Sequence, residues 1–573
     1  MRAIRFVRLV ASISVLGACA PRGGVATGAN PAGGAYDVVI ENGRVIDGTG
    51  AAWYYGDVAL RGDRIAAIGP RGAFKAARAG QRVDATGHVV APGFIDIQAQ
   101  SYENFMMGDG LGLSMVTQGI TTAILGEGDT PAPVNDKLLA MPSDFTVAMK
   151  DVLPKFSGPH GFGGWLDFIG SRGSSQNVGS FLGAGTVRVY GHGGGMGPAS
   201  PAEIDTMQAM VRRAMQDGAF GVASALIYPP NSYLSTDELI AINKAAAPYG
   251  GVYITHMRSE GDKFLEALDE AIAVGKGAGV PVEVYHLKAA GVRNWPKMDL
   301  AIAKIDSARA AGQDVQADMY LYPAGGNGFS ACIPPKYSAD GKLLENLRNP
   351  ALRATIVREI HARDAGYENL CEAATPANVM VLGFRKPENQ RFEGKRLSEI
   401  ATMMNEDWAE VIIDLNIAEN AGASEILFLM SEENIKNEIR QPWMKFGTDA
   451  ETHDPATAKG MTHPRSYGNF PRLLGKYVRN EHVVPLEDAV RKASAAVATR
   501  LSLSDRGVLK QGMKADIVVF DPNTIIDNAT FEKPHQISTG MRDVFVNGVA
   551  VLRDGNHTGA KPGVVVRGPG YQP

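Results

Sequence analysis

The 573-residue sequence has no excess of basic charge. Lysine and arginine number 57 against 61 aspartates and glutamates, which gives a net charge of −4, and no basic run occurs beyond the N-terminus. Nucleic acid is therefore not an expected partner, because a nucleic-acid-binding surface needs clustered lysine and arginine. Charged residues make up only 21% of the chain and apolar residues 45%, which excludes a disordered or fibrous protein. A chain of this length is expected to form two or three domains.

Cysteine is nearly absent, with three residues in the whole chain. Cys19 lies in the N-terminal segment, which leaves only Cys332 and Cys371 for the remainder of the protein. In an oxidising compartment these two would form a disulfide bond if they lie close enough. Two separate, partly buried thiols are an equal alternative, because the sequence does not give the distance between them.

The first 18 residues have the layout of a secretory signal peptide. Three arginines within the first eight residues precede a short apolar stretch, LVASISVL at 9–16, which is too short to span a bilayer. The stretch ends in LGAC, which resembles the cleavage box of bacterial lipoproteins. The resemblance implies lipidation of Cys19, a flexible tether over 19–35 and, with Ala20 in the next position, a periplasmic protein anchored to the outer membrane of a Gram-negative bacterium. An ordinary signal peptide with a chance cysteine is the alternative.

Short strands separated by glycine-containing turns occupy both ends of the remaining chain. The pattern runs through YDVVIENGRVIDGTGAAWYYGDVALRG at 36–62 and returns in ADIVVFDP at 515–522 and VFVNGVAVLRDG at 544–555. We therefore expect residues 36–91 and 501–563 to form one small β-sandwich domain from both chain ends.

Residues 92–500 alternate short apolar strands with helical stretches, which is typical of a parallel sheet built from βα units. Eight strand candidates predict an α/β fold with a closed (β/α)8 barrel of the TIM type. The candidates are 94–100, 119–126, 186–192, 219–225, 251–256, 282–286, 315–320 and 443–449. Over 100 residues separate the last two, and we expect a lid insertion at about 325–400 over the barrel mouth.

Several polar residues follow these strand candidates, at the barrel face where active sites are built. Two imidazoles and a carboxylate can hold a catalytic Zn²⁺ with an open position for water, so Glu127, His256 and His286 are the predicted ligands. Asp449, after the eighth strand, is the predicted catalytic base that takes a proton from the attacking water. Asp129 is a competing carboxylate ligand.

The order of these features resembles the amidohydrolase superfamily, and more closely its N-acyl-D-amino-acid deacylase (D-aminoacylase) branch. The resemblance covers roughly residues 36–563 and is carried by PGFID, GAFGVASALIYPPNSYLSTDEL, GGVYITHMRSEGD, VPVEVYHLKAAG, THPRSYGNFPRLLGKYVR and DRGVLKQGMKADIVVFDP. It implies the barrel and the small β domain described above. It also implies hydrolysis of the amide bond of an N-acylated amino acid, of D configuration.

The chain lacks two ligand sets that the resemblance implies. The superfamily carries His-x-His on the first strand, where this chain has Gln98 and Gln100, and the D-aminoacylase branch carries a cysteine ligand where this chain has Gly128. Some N-acetylglucosamine-6-phosphate deacetylases are similar, with amides in place of the first histidines and one metal held by a glutamate and two histidines. We therefore expect one zinc ion per chain. The glutamines are expected to hydrogen-bond the attacking water or the substrate carbonyl.

Substrate recognition is also implied by the resemblance. Lys288, Tyr320 and Arg465 match the residues that meet the free α-carboxylate of the substrate in D-aminoacylases, and Tyr322 is an alternative to Tyr320. Arginine suits bidentate carboxylate binding, and lysine suits a point-charge contact.

Two further histidines, His192 and His463, are candidates for substrate positioning. The expected partner is a small amide with a free carboxylate, and the only expected membrane contact is the N-terminal lipid. Dipeptides with a D-residue and xenobiotic amides are alternative substrates of the same apparatus. An alternative of another class is a non-catalytic ligand-binding lipoprotein that keeps only the fold.

Overall fold

The computed structural model describes residues 35–141, 144–363 and 366–573, and Tyr36–Pro573 forms one compact unit. The predicted signal peptide, the lipidation site Cys19 and nearly all of the predicted tether lie outside the described residues. Within the described part of the chain, no helix is both long and apolar enough to cross a membrane.

Strands from both chain ends form a single nine-stranded sheet. Its spatial order is β22-β21-β20-β19-β5-β1-β2-β3, and β4 pairs with β1. The strands are β1 (Tyr36–Val45), β2 (Tyr54–Arg61), β3 (Arg64–Pro70), β4 (Ala79–Asp84), β5 (Val89–Pro92), β19 (Ile517–Phe520), β20 (Met541–Val546), β21 (Val549–Arg553) and β22 (Asn556–His557). Antiparallel pairing of β5 with β19 joins the two chain ends, and alternate residues such as Val58, Leu60 and Ile517 pack into a common core.

Eight parallel staves form the barrel. Its strands are β6 (Phe94–Asp96), β7 (Ile120–Leu125), β8 (Asn177–Ser180), β9 (Leu182–Gly183), β10 (Gly221–Ala225), β11 (Val252–His256), β12 (Val282–Val284), β13 (Val315–Met319) and β18 (Met444–Phe446). The third stave comprises β8 and β9, which pair with β7 and β10 respectively. The first and last staves meet beyond β6 and β18, where the Gln100 N–H donates to the Ala450 carbonyl at 3.0 Å and the Asp449 N–H to the Gln98 carbonyl at 2.7 Å. The predicted α/β barrel with an added β domain is confirmed; the domain boundaries stay predictions.

The third predicted strand, 186–192, is wrong. Residues Ala184–Gly191 form a buried helix, and the third stave lies before it at 177–183. The helical segment contains β-branched residues and resembles a buried strand, whereas NVGSFLG contains two glycines and gives a weak strand signal.

The insertion, which lies between β13 and helix α16 (Glu432–Arg440), has its own four-stranded antiparallel sheet, in the order β14-β17-β15-β16. These strands are β14 (Gly325–Gly328), β15 (Val379–Leu382), β16 (Lys395–Arg396) and β17 (Ser424–Leu427). The sheet includes β17, so the insertion extends beyond the predicted limit of 400. A disulfide bond joins Cys332 to Cys371 within it, with a Cα–Cα distance of 5.5 Å, which resolves the alternatives left open by the sequence.

Helices surround the barrel and complete the insertion. The helices outside the insertion are α1 (Tyr102–Met106), α2 (Leu113–Val116), α3 (Asp136–Leu139), α4 (Asp144–Ala148), α5 (Gly161–Arg172), α6 (Ala184–Gly191), α7 (Pro201–Gln216), α8 (Thr236–Lys244), α9 (Phe264–Ala278), α10 (Lys297–Ala310), α16 (Glu432–Arg440), α17 (Arg465–Arg472), α18 (Leu486–Ala493) and α19 (Ala495–Arg500). The insertion contains α11 (Leu343–Arg348), α12 (Pro350–His361), α13 (Leu370–Ala374), α14 (Leu397–Met404) and α15 (Trp408–Ala418). Capping boxes at Ser200 and Ser235 fix where α7 and α8 begin.

Candidate active site

Three predicted metal ligands meet at the carboxyl ends of the barrel strands. Glu127 follows β7, His256 ends β11 and His286 follows β12, and one ligand atom from each lies within 4.8 Å of the others. Glu127 Oε1 is 3.3 Å from His256 Nδ1 and 3.3 Å from His286 Nε2. The two imidazole rings are nearly perpendicular, with centroids 4.5 Å apart. The three side chains therefore converge on one point.

The two glutamines of the first stave orient Glu127. Gln98 Nε2 and Gln100 Nε2 each donate a hydrogen bond of 2.6 Å to Glu127 Oε2, so that Oε1 is left for the histidines. Gln100 lines the cavity, but Gln98 is buried beneath it. The amide N–H group of Gln98 is thus directed to a carboxylate, and its contact with the water or the substrate stays a prediction.

The negative charge of Glu127 is stabilised by the two neighbouring imidazoles. Burial alone would raise the pKa of Glu127, but hydrogen bonds and charge attraction from His256 and His286 outweigh it and hold that pKa well below its usual value. Burial and Lys288 would lower the pKa of His286, yet the Glu260 and Glu127 carboxylates raise it to about 10. A metal ligand must be a neutral imidazole, so a bound dication would displace the proton that this raised pKa favours on His286.

The donor set fits a zinc ion. One carboxylate and two imidazoles are common catalytic zinc ligands, and His256 Nδ1 and His286 Nε2 are the ring nitrogens that face Glu127 Oε1. Metal-ligating histidines usually donate their other ring N–H to a carboxylate, and Glu260 Oε1 lies 3.0 Å from His286 Nδ1. Glu260 thus occupies the position of such an outer carboxylate.

Neither of the other two candidate ligand positions contributes to the triad. Asp129 Oδ2 accepts a hydrogen bond of 3.4 Å from Asn231, and burial raises the pKa of Asp129 to about 6. Gly128 has a φ of +71°, and a Cβ at this position would lie 2.8 Å from the Ala225 Cβ. A cysteine at 128 would therefore need both a strained backbone and a displaced neighbour. Glu127 is the acidic ligand that the local backbone presents.

Asp449 lies in the same cavity, just after β18. Its Oδ2 is 2.7 Å from Arg465 Nη1, and its Oδ1 accepts a hydrogen bond of 3.3 Å from Gln100 Nε2. Burial raises the pKa of Asp449, although the Arg465 charge opposes the change. A carboxylate with a raised pKa is a better proton acceptor near neutral pH. The position and the raised pKa of Asp449 therefore suit its predicted role as the base.

The three predicted carboxylate-binding residues also converge on the cavity, which has a volume of about 580 Å³. The Arg465 guanidinium lies 4.6 Å from the centroid of the Tyr320 ring, and Lys288 Nζ lies 5.6 Å from it. Lys288 Nζ also forms a buried ion pair with Glu260 and lies 2.7 Å from His286 Nδ1. Lys288 is thus beside the ligand triad, and Arg465 lies beside Asp449 in the same cavity.

Three other candidates have different placements. His463 lines the cavity, where its Nε2 donates to the Ala324 carbonyl at 2.9 Å and its Nδ1 accepts from the Arg465 N–H at 3.0 Å, so it positions Arg465. Tyr322 does not line the cavity and donates to Asp527 at 3.1 Å, which favours Tyr320. His192 follows α6, lies 3.2 Å from Glu203 and does not line the cavity either. The prediction for His192 is wrong because it depended on the incorrect third strand.

Sequence reasoning missed three contributors to the site. Glu260 follows His256 by four residues, within HMRSEGD, but nothing in that spacing indicates that its side chain turns back to His286 and Lys288. Tyr228 packs edge-on against His256, with ring centroids 5.2 Å apart. Strand β14 of the insertion forms one wall, and the Gly326 carbonyl accepts a hydrogen bond of 3.2 Å from Arg465. These contacts depend on tertiary structure and leave no local pattern.

A closed barrel that gathers two histidines, a glutamate and a further aspartate at its carboxyl face defines a protein of the metal-dependent hydrolase class. A model of the amidohydrolase family matches residues 442–552. The N-acyl-D-glutamate deacylase of Alcaligenes xylosoxydans xylosoxydans is 33% identical over 90% of this chain and 93% of its own length. These relationships place the chain among the amidohydrolases.

Two solved structures are similar over nearly the whole chain. A D-aminoacylase studied for its binuclear metal center, with one-metal activation and second-metal attenuation, is 31% identical with a TM-score of 0.76, and 93% of this chain and 100% of that one are covered. The N-acyl-D-glutamate deacylase of Bordetella bronchiseptica, complexed with zinc and a phosphonate mimic of the tetrahedral intermediate, is 28% identical with a TM-score of 0.74 and the same coverage. The chain belongs to the D-aminoacylase family, as the sequence motifs predict.

Proposed function

We propose that the protein is a zinc-dependent deacylase that hydrolyses the amide bond of N-acyl-D-amino acids. Family membership supports the reaction class, and the convergence of Glu127, His256, His286 and Asp449 in one cavity supports a working hydrolytic site. The choice of the D configuration rests on the relatives, which are deacylases of N-acyl-D-amino acids.

A single zinc ion per chain is part of the proposal. The observation that carries it is the pair of hydrogen bonds from Gln98 and Gln100 to Glu127 Oε2. Side chains at the first-strand positions serve here as donors that fix a ligand, and an amide N–H group cannot itself bind a cation. Gly128 offers no ligand atom at the position where the branch has a cysteine.

The residues around the ligand triad divide the remaining work. Zinc, when bound, supplies an acidified water and polarises the amide carbonyl. Asp449 accepts the proton of the attacking water and returns it to the leaving nitrogen. Lys288, Tyr320 and Arg465 bind the α-carboxylate and thereby orient the amide in the cavity.

Arg465 links recognition to proton transfer. Its guanidinium pairs with Asp449 at 2.7 Å, while its Nε, which is buried, has no hydrogen-bond partner among the described residues. A substrate carboxylate that binds this guanidinium competes with Asp449 for its charge. Partial release of Asp449 from the ion pair would make the carboxylate more basic when substrate is present.

A hydrolysis screen tests the proposed function. N-acetyl-D- and L-amino acids with neutral and acidic side chains, D-residue dipeptides and anilides are incubated with the zinc-loaded protein, and released amine is measured. We expect turnover of N-acyl-D-amino acids with the L enantiomers far slower. Turnover of the dipeptides or anilides alone would reject the proposed substrate class, and no turnover at all would favour a binding protein.

We further propose that the mature protein is a periplasmic lipoprotein anchored through Cys19. The N-terminal sequence supports this, since LGAC follows a basic and then an apolar segment. Cys19→Ala should release the protein from the membrane fraction of expressing cells. Retention of the variant in that fraction would reject the lipid anchor.

A further inference from the structure

The turn after β11 carries the carboxylate that organises two residues of the site. Glu260 Oε1 lies 3.0 Å from His286 Nδ1 and forms a buried ion pair with Lys288, and the Glu260 side chain is only 5% exposed. A small displacement of this turn would therefore disturb a metal ligand and a substrate-binding cation together. The question is what fixes the turn.

Glu368, from the insertion, holds the turn through both of its carboxylate oxygens. Glu368 Oε2 accepts a hydrogen bond of 2.6 Å from Ser259 Oγ, and Glu368 Oε1 accepts one of 2.9 Å from the Glu260 N–H. A Cβ on Gly261 would lie 3.0 Å from Glu368 Oε1, so the glycine leaves room for this close approach. Two bonds to consecutive residues fix both the position and the direction of the turn.

The segment that carries Glu368 is itself anchored to the insertion. Asn369 accepts a hydrogen bond from the Glu372 N–H and donates to the Ile360 carbonyl at 2.8 Å, which fixes the start of α13. Cys371, in the first turn of α13, is bonded to Cys332 at the end of the turn that follows β14. Glu368 is thus presented from a cross-linked part of the insertion, not from a free loop.

We propose that Glu368 is a positioning residue that couples the insertion to the metal site, by fixing Glu260 so that its carboxylate orients His286 and Lys288. The inference rests on the proposed function only for the role of Lys288 in substrate binding. The effect on His286 applies to metal binding whatever the substrate, because an outer-shell carboxylate orients the ligating imidazole.

Zinc affinity and steady-state kinetics of three variants test the proposal. Glu368→Ala removes both hydrogen bonds, whereas Glu368→Gln keeps an acceptor for the Glu260 N–H and loses the carboxylate oxygen that accepts from Ser259 Oγ. Glu372→Ala is the matched control: it lies four residues along and loses an ion pair of 2.7 Å with Arg293, which keeps its ion pair of 2.7 Å with Asp262, and it removes no bond to Ser259 or Glu260. Affinity is measured by competition with a chelator, and all variants are compared by thermal unfolding.

We expect Glu368→Ala to weaken zinc affinity by up to about 10-fold, the lower end of the cost of losing an outer-shell partner, because Glu260 itself remains, and to raise KM more than it lowers kcat. Glu372→Ala should stay close to the wild-type protein in both quantities, and Glu368→Gln, which keeps one of the two bonds, should lie between the wild-type protein and Glu368→Ala. Equal zinc affinity and KM in Glu368→Ala and Glu372→Ala would overturn the proposal. A Glu368→Gln variant as weak as Glu368→Ala would also overturn it, since the bond that Glu368→Gln keeps to the Glu260 N–H would then contribute nothing.

A fourth variant keeps the proposal testable if Glu368→Ala does not fold. Ser259→Ala removes the 2.6 Å bond to Glu368 Oε2 and also the bonds that Ser259 Oγ accepts from the Gly261 and Lys263 N–H groups at 3.3 and 3.2 Å. It leaves the bond from the Glu260 N–H to Glu368 in place and should therefore cause a smaller loss in the same two quantities. Unchanged zinc affinity in Ser259→Ala would then reject the proposal. If the wild-type protein hydrolyses no N-acyl-D-amino acid, the proposed function fails, but the zinc-affinity comparison still decides the role of Glu368.

Discussion

Two buried carboxylates of this protein each lie beside two side chains of metal-ligand type, but their pKa values shift in opposite directions. In the barrel, Glu127 lies 3.3 Å from nitrogens of His256 and His286, and in the insertion, Glu425 Oε2 lies 3.1 and 3.2 Å from the sulfurs of Cys332 and Cys371. The histidines hold the pKa of Glu127 well below its usual value, whereas burial raises the pKa of Glu425 well above it.

The difference follows from what the neighbours can carry. Imidazoles accept protons and supply positive charge to Glu127, while the disulfide sulfurs beside Glu425 carry none. Glu425 Oε1 also has no hydrogen-bond partner in the described part of the chain. Three clustered side chains of ligand type are therefore not enough to form a metal site. Glu127, His256 and His286 can bind a cation, whereas Cys332 and Cys371 have no thiolate for one because they form a disulfide bond.

The largest expected effect comes from removing the barrel carboxylate. Glu127→Gln takes away the anionic ligand, so zinc and hydrolysis should both be lost by more than the roughly 10–100-fold cost of an outer-shell change. Asp129→Asn makes the same chemical change two residues along and should keep its zinc. Metal analysis and initial rates on both proteins check this. Loss of zinc in Asp129→Asn alone would show that Asp129, and not Glu127, is the carboxylate ligand.

Next in size is the effect of Asp449→Asn. Because the amide cannot accept the proton of the attacking water, kcat should fall by about 10²–10⁴-fold while the zinc content stays at the wild-type level. Single-turnover rates and metal content measured on the same preparation separate the two effects. A variant that retains wild-type kcat would show that another group is the base.

A smaller effect is expected when the orientation of Glu127 is disturbed. Gln98→Ala removes one of the two donors to Glu127 Oε2 and should weaken zinc affinity by about 10-fold, since Gln100 still holds the same oxygen. Because Gln98 lies beneath the cavity, KM measured at saturating zinc should change little. A raised KM at unchanged zinc affinity would instead identify Gln98 as a substrate contact.

The Glu425 carboxylate, in the insertion, should affect the stability of the protein rather than catalysis. The pKa of Glu425 is raised in the folded state above its unfolded value of about 4.5. Between these two pKa values, the folded protein keeps a proton on Glu425 that the unfolded chain has released. Stability should therefore fall as pH rises through this window, by at most about 1.4 kcal/mol per pH unit. Glu425→Gln should lack this slope and should unfold at a higher temperature than the wild-type protein at pH 8. Identical pH slopes for the two proteins would contradict the protonated state.

Much of the fold could be predicted from the sequence because barrel strands are short apolar runs that end in polar residues. Seven of the eight strand candidates overlap observed staves, and the ligand triad follows from residue types at strand ends. The prediction of the third strand, at 186–192, was wrong because a buried helix and a buried strand have similar composition over a few residues.

The contacts between side chains were beyond the sequence. The sequence places Gln98 and Gln100 at the end of the first strand candidate, but the direction in which their amides donate depends on Glu127, which lies about 30 residues away. The position of Glu260 against His286 likewise depends on how the turn after β11 is held by the insertion. Such pairings leave no periodic or local signal.

A zinc titration of the metal-free protein tests the central claim most directly. Hydrolysis of an N-acyl-D-amino acid is measured as zinc is added in known equivalents, with bound metal determined on the same samples. One zinc on Glu127, His256 and His286 predicts that activity rises linearly and reaches its plateau at about one equivalent. A plateau only at two equivalents, or full activity in the metal-free protein, would contradict the account.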